Sequence, residues 1–438
     1  MGTMGSNKIL FSYDFSPVGQ GLFSTGYLWK LGTLRPRFHW VYDCGTSSEK
    51  KLVTASLSRY IASLGIESQT PQKIKPKIGM VVISHFDKDH ISGIVSLLSK
   101  SLVHTLVLPY VPLWQRLCIA FSEGIRATED VMGFYLDPVA YLLRRRRITV
   151  AQALLVSRGS SEVSSETTPT SPPTDATDEN GGDYELQIFE PPPNNDIVDE
   201  SEQIDRSGLE ESGRKYKTAV RFLRPGTVMA VGRMWEFIPY NDSEYLPKTH
   251  QKFRDEVCNA RETLLSNPTD NALYALRGLY EDLYGDSPEN RNIISLFLYG
   301  GLLSEPMDGF SVAEEFKLNS LPNGRESLAF AQTIDPRHSV LYTGDGYLND
   351  ANRIKSLFDH MGSRRIKTLL CFQVMHHGSA VNCTENLAAS VAPSFSVFSS
   401  DPSNRKCKHP NAEVLRYFHE YRPMFANKER GVSFTGLY

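Results

Sequence analysis

The chain has 438 residues, 40% hydrophobic and 22% charged, enough for one large domain or two ordinary ones with a sizeable buried core. A net charge of −3 excludes a globally basic nucleic-acid binder while leaving room for a local basic groove. Six scattered cysteines with no CxxC pair suggest neither a zinc ribbon nor a disulfide framework, and read as reduced, cytoplasmic thiols. The N-terminal residues lack the apolar core of a signal peptide. No stretch approaches the roughly 18–20 apolar residues of a membrane span, so no membrane partner is expected.

The first elements read as strands. Residues 21–29 and 37–42 are rich in aromatic and β-branched side chains, and the second stretch ends in Asp43-Cys44-Gly45-Thr46. Residues 50–64 carry apolar positions at helical spacing. A strand over 78–83 runs directly into Ser84-His85-Phe86-Asp87-Lys88-Asp89-His90, followed by a helix over 91–98 and a strand over 102–108. This rhythm is that of a layered α/β fold.

Residues 113–156 are mostly helical in pattern and include the run Arg144-Arg145-Arg146-Arg147. That run suits nucleic-acid phosphates, or equally a solvated helix end beside an acidic linker. Residues 157–182 are of Ser/Thr/Pro/Glu low complexity and are expected to be disordered. The acidic stretch 196–211 is also expected not to pack, with a short ordered piece at 184–189 between them. A strand over 234–240 and a charged helical region over 242–286 follow.

The last third returns to alternation, with strands over 293–299, 339–342, 366–374 and 395–399 and helices over 349–360, 384–391 and 412–421. Two of these strands end in Thr343-Gly344-Asp345-Gly346 and Met375-His376-His377-Gly378-Ser379. No solenoid-period repeat is present, yet polar clusters recur at strand ends in both parts, as in two similar halves.

Four strands therefore end in Asp, His or both: at Asp43, at the 85–90 cluster, at Asp345 and at His376/His377. Four metal-competent side chains within six residues after a buried strand are costly unless a cation or partners offset their desolvation. Strand ends from distant parts of a chain can converge on one sheet edge, so a metal-dependent hydrolase is the leading expectation.

These motifs resemble the metallo-β-lactamase superfamily. His85, Asp87, Asp89 and His90 match its HxHxDH loop, with Asp87 in place of the second histidine. The HxDxDH variant resembles the β-lactamase-like domain of the bacterial competence protein ComEC. Tyr42-Asp43-Cys44-Gly45, Thr343-Gly344-Asp345, His376-His377-Gly378-Ser379, the loop from Asn404 to Pro410 and Gly431-Val432-Ser433-Phe434 are similar to further parts of that pattern. The resemblance covers about residues 20–110 and 290–438. It lacks the histidine that many members supply before the aspartate: His104 lies too early and His250 sits in the helical region.

The resemblance implies a four-layered αββα sandwich with a large helical and partly disordered insertion. One half would occupy residues 7–112 and the other 233–438, the latter with a helical insertion at about 242–286. Residues 113–232 would form the main insertion, with a disordered acidic linker at about 157–215, available to a protein partner. It implies one or two divalent ions (Zn, Mn or Mg), the oxygen-rich Asp87 tilting the choice toward Mn or Mg. His85 and Asp87 would hold one ion, Asp89 and His90 the other. Asp345 would bridge, and His376 or His377 would complete the first position. Asp43 would orient ligands from behind, Asp89 and His409 would be catalytic, and Ser379 and Asn404 would bind a phosphate. The expected activity is a phosphodiesterase or nuclease on DNA or RNA, suited to DNA processing or bacterial defence. A hydrolase of a small ester, lactone or nucleotide, and a non-catalytic binding subunit, are the alternatives.

Overall fold

The computed structural model describes residues 9–30, 38–67, 74–158, 186–192, 200–232, 234–242, 250–266, 270–284, 295–303, 335–404 and 408–437. Their strands pair into two mixed eight-stranded sheets. The strands are β1 (Ile9–Phe15), β2 (Ser24–Lys30), β3 (Phe38–Tyr42), β4 (Lys77–Val82), β5 (Leu102–Pro109), β6 (Val150–Val156), β7 (Leu186–Phe189) and β8 (Ala219–Leu223). They continue as β9 (Val228–Val231), β10 (Trp235–Asn241), β11 (Leu296–Leu302), β12 (Ser339–Tyr342), β13 (Leu369–Gln373), β14 (Phe395–Ser399), β15 (Pro423–Ala426) and β16 (Val432–Leu437).

The first sheet has the order β16-β1-β2-β3-β4-β5-β6-β8 and the second β15-β14-β13-β12-β11-β10-β9-β7. Each changes character midway. Pairing is antiparallel from β16 to β3 and parallel from β3 to β8. In the second sheet it is antiparallel from β7 to β12 and parallel from β12 to β15. Each sheet thus joins one antiparallel and one parallel block.

Between the sheets lies an aromatic core. Trp40 packs 5.1 Å from Phe237, Phe11 5.4 Å from Trp235, and Tyr42 stacks on Tyr342 at 4.6 Å, centroid to centroid. Rings of this size bury large apolar areas and fix the separation of the sheets. Gly26 is needed for this packing, because a Cβ there would meet the Trp40 ring at 2.1 Å. The outer face of the first sheet packs on helices that include Lys50–Glu67, Leu113–Ser122 and Gln251–Ser266; that of the second packs on Ala351–Met361, Glu385–Val391 and Ala412–Tyr417. The order is helices, sheet, sheet, helices. Among the described residues no helix is long and apolar enough to cross a membrane.

The middle of the chain departs from expectation. The span 113–232, read as an insertion, supplies β6 and β8 to the first sheet and β7 and β9 to the second. Residues 113–156 are helical only as far as Leu143, and the β-branched, apolar Val150–Val156 pairs with β5. Within the stretch expected not to pack, Glu200–Lys215 is a helix. Its Asp205 is buried against Arg116, which donates from Nη1 and Nη2 at 3.0 and 2.9 Å. Arg116 gives its other donors to the carbonyls of Val111, Tyr135 and Leu136, so every guanidinium N–H is used. Local charge density hid this helix, because its anchor lies far away in the sequence. The low-complexity residues 159–185 lie outside the described residues. In the last third, the strand expected from 366 starts at Leu369, since Ser363–Lys367 forms a helix whose Arg365 is paired with the buried Glu236.

Two histidines in these packed layers are held neutral. Burial pulls both His338 and His360 down to about 4; the bond from His360 Nε2 to the Pro239 carbonyl opposes the shift only partly. The unfolded chain therefore binds more protons than the folded one between pH 6.5 and 4, and stability falls as pH drops through that window. The slope is about 1.4 kcal/mol per pH unit for each such histidine. Urea melts of His360→Gln between pH 7 and 5 should show a shallower decline than wild type by roughly that amount. Parallel curves would overturn the assignment.

Candidate metal centre

The parallel strands of both sheets end on one edge. Leu296 at the start of β11 donates its N–H to the Ser84 carbonyl at 2.8 Å, and Tyr42 donates to the Leu296 carbonyl at 2.6 Å. Asn241 at the end of β10 donates to the carbonyls of Tyr110 and Val156 beyond β5 and β6. This edge gathers the ends of β3, β4, β12, β13 and β14.

From the first half come Asp43, with φ 56°, and the Ser84–His90 loop. The loop is tied to its neighbours through Leu22 N to Asp89 O, Cys44 N to His90 O and Gly93 N to Cys44 O. From the second half come Asp345 and the two histidines. The Gln373 side chain accepts from the N–H groups of Thr343 and Gly344 at 2.8 Å each, while Ser295 Oγ accepts from Asp345 N. His376 and His377 are both left-handed (φ 46° and 57°), which splays two consecutive rings toward different partners.

Each ring is oriented from behind through Nδ1. Asp43 Oδ2 accepts from His90 Nδ1 at 2.7 Å. Ser84 gives its only hydroxyl proton to Asp43 at 2.6 Å, so its oxygen accepts from His85 Nδ1 at 2.8 Å. The Asn382 Nδ2 group donates to the carbonyls of Asp345 and Gly346, which turns Oδ1 to accept from His376 Nδ1 at 3.0 Å. The Ser399 carbonyl accepts from His377 Nδ1 at 2.5 Å. All four imidazoles therefore present Nε2 to the interior.

Asp345 stands between them. Its Oδ1 lies 3.1 Å from His90 Nε2 and 3.7 Å from His377 Nε2. Its Oδ2 lies 3.8 Å from His85 Nε2 and 3.6 Å from His376 Nε2. Asp89 Oδ2 is 3.3 Å from His377 Nε2, and Asp87 Oδ2 is 3.7 Å from His85 Nε2. Asp89, His90, Asp345 and His377 form one group that can hold a metal ion, here called the inner position. His85, Asp87 and Asp89 form a second group, the outer position, with His376 nearby.

The residues fit a cation on chemical grounds. His85 Nε2, His90 Nε2 and Asp345 Oδ1 are buried without a hydrogen-bond partner, an arrangement that is costly unless a cation joins them. Titration behaviour reflects the same crowding. Burial, reinforced by His90, pulls His85 down to about 3. Burial also pushes Asp87 well above the carboxylate range, with Glu123 and Asp89 adding to it. For Asp345 burial is outweighed by His376, His90 and His377, which hold it well below that range. For Asp89 burial is outweighed by the His377 hydrogen bond and the charge of His90, which keep it at about 2. Burial lowers His90, but Asp345 and Asp43 lift it well above the usual imidazole range.

The sequence expectation placed either His376 or His377 with His85 and Asp87. The structure splits them, His377 standing with Asp89 and His90, and His376 on the His85 side. Two adjacent histidines thus serve both positions, where a further histidine had been sought. His104 borders Thr105 on β5 and His250 packs on Tyr284, both apart from the cluster. His409 packs 5.6 Å from His376 with the rings tilted, half-buried, and burial together with His376 lowers it to about 4, so it is neutral at neutral pH. Ser379 N donates to the His376 carbonyl, and the Asn404 carbonyl accepts from Lys408 N. Sequence reasoning passed over Ser84, Gln373 and Asn382, common polar residues whose placement alone gives them a role.

The Arg144–Arg147 run lies at the opposite edge. Arg144 and Arg145 share Asp130, and the Arg147 carbonyl accepts from Lys75, just before β4 begins. The described cysteines are free thiols; Cys44 and Cys383 are packed in the outer cores.

No protein-family model matches the chain, and no curated protein matches it.

Gly45 lies where a Cβ would come within 2.5 Å of the Asp89 carbonyl and the His90 backbone. Gly45→Ala should cost ~1–3 kcal/mol of stability and displace both ligands. Denaturant melts and cobalt binding measured together would check this; wild-type values in both would refute the close-approach argument.

Proposed function

We propose that the protein is a metal-dependent hydrolase of the metallo-β-lactamase type, and that its substrate is a phosphodiester, most simply that of a nucleic acid. The observation that carries the reading is Asp345, whose two oxygens face two separate sets of inward-pointing imidazoles. Divalent ions held there supply Lewis acidity, lowering the pKa of water and offsetting charge that builds on a phosphoryl oxygen.

The chain's own groups do the remaining work. Asp345 would help hold the inner ion, with its Oδ1 facing His90 and His377 and its Oδ2 facing His85 and His376. Asp89, shared by both groups, stands where it can orient the attacking water. His409, with a buried, unpartnered Nδ1, is the group to contact the phosphate or serve the leaving oxygen. Lys88 and Lys408, both exposed and each adjacent in sequence to a site residue, give the mouth two cations for an anionic substrate.

The test combines metal analysis with assays on DNA, RNA, a generic phosphodiester and small esters in Mn, Mg and Zn. Asp89→Ala and His377→Ala should each reduce phosphodiester turnover by ~100-fold or more, beyond the usual effect of an outer partner. Lys88→Ala should raise KM more than it lowers kcat. A metal-free protein, with wild type and both ligand variants indistinguishable, would sink the catalytic reading. Bound metal with turnover of a small ester alone would replace the substrate assignment.

A further inference from the structure

The two positions differ in what stands behind their ligands. At the inner position, His90 is backed by the Asp43 carboxylate at 2.7 Å, and His377 by the Ser399 carbonyl at 2.5 Å. The side chains of His90, His377 and Asp345 are 0%, 2% and 2% exposed, and only Asp89, which both groups share, is more open at 19%. At the outer position, His85 is backed by a hydroxyl already committed to Asp43, and His376 by an amide oxygen like the one behind His377 but at the longer distance of 3.0 Å. His85 is 3% exposed, but Asp87 and His376 are 24% and 23% exposed.

A charged or strongly polar acceptor makes an imidazole a better donor to a cation, and an immobile, buried ligand set loses less entropy on binding. Both effects favour the inner position. We infer that the inner position keeps a resident ion while the outer position takes an exchangeable one, so that metal supply at the outer position sets the fraction of active protein. Asn382 is then chiefly a positioning residue for the outer ion, through His376. It fixes the His376 tautomer and ties the Asp345 loop to the His376 turn through two carbonyls. Asp43 supports His90 directly and His85 through Ser84, and so influences both positions.

This inference rests on the two-ion reading above, and the experiment separates the two. The full chain, stripped by a chelator, is titrated with cobalt while heat and visible absorbance are recorded, and its metal content is counted after dialysis. Two events at least ~10-fold apart in affinity are expected, with about one ion per chain surviving dialysis. Asn382→Ala should weaken the second event by ~10–100-fold and the first by clearly less, whereas Asp43→Asn should weaken the first. Two ions bound with equal affinity by wild type, or an Asn382→Ala variant that loses the tight event, would overturn the inequality while leaving the two-ion centre intact. The wild-type titration decides the inequality even if a variant does not fold. Absence of any binding would remove both readings.

Discussion

The site depends on one constraint, the commitment of four Nδ1 protons. Each inward-facing imidazole has its rear nitrogen bonded to a different kind of acceptor: a carboxylate, a hydroxyl, an amide and a main-chain carbonyl. With those protons fixed, the four Nε2 atoms converge around the Asp345 and Asp89 carboxylates. Crowding buried imidazoles and carboxylates in this way is costly unless something else binds. Much of the surrounding structure serves to keep those rings in place. Ser84 is locked by both oxygens of Asp43, Asn382 by two carbonyls, and the Asp345 loop by Gln373.

Neither sheet could build this alone. The first supplies the Asp43 and Ser84–His90 strand ends, the second Asp345 and the paired histidines, and the aromatic layer between them sets their separation. Trp40 against Phe237 and Tyr42 against Tyr342 are part of the site's geometry as much as of its stability. A close-packed layer resists small displacements, which ligand convergence requires.

The chemistry was more legible in the sequence than the middle of the fold. His85, Asp87, Asp89 and His90 announce themselves because they cluster within six residues just after an apolar strand. Asp345 and His376/His377 follow the same rule at two later strand ends. What the sequence concealed is which histidine serves which position, since that turns on two left-handed residues in a row. It also concealed Ser84, Asn382 and Gln373, whose types are common in any loop. Among the elements, β8, β9 and β15 went unnoticed because strands of four or five residues carry little periodic signal, and the seven-residue β1 was passed over too. The helix Glu200–Lys215 was masked by its charge, because the arginine that neutralises Asp205 sits 89 residues earlier.

The order of strands in the first sheet has a consequence for the timing of folding. β1 is flanked by β2 on one side and by β16 on the other, and Ser433 donates to Asp14 across 419 residues of chain. During synthesis the first strand therefore waits, one edge unpaired, until the last has emerged. Contacts of such long range are slow to form, and an open strand edge in the interval is exposed to wrong pairings. The site, which draws on both halves, is completed only after synthesis of its second half, so a nascent chain cannot hold the full ligand set.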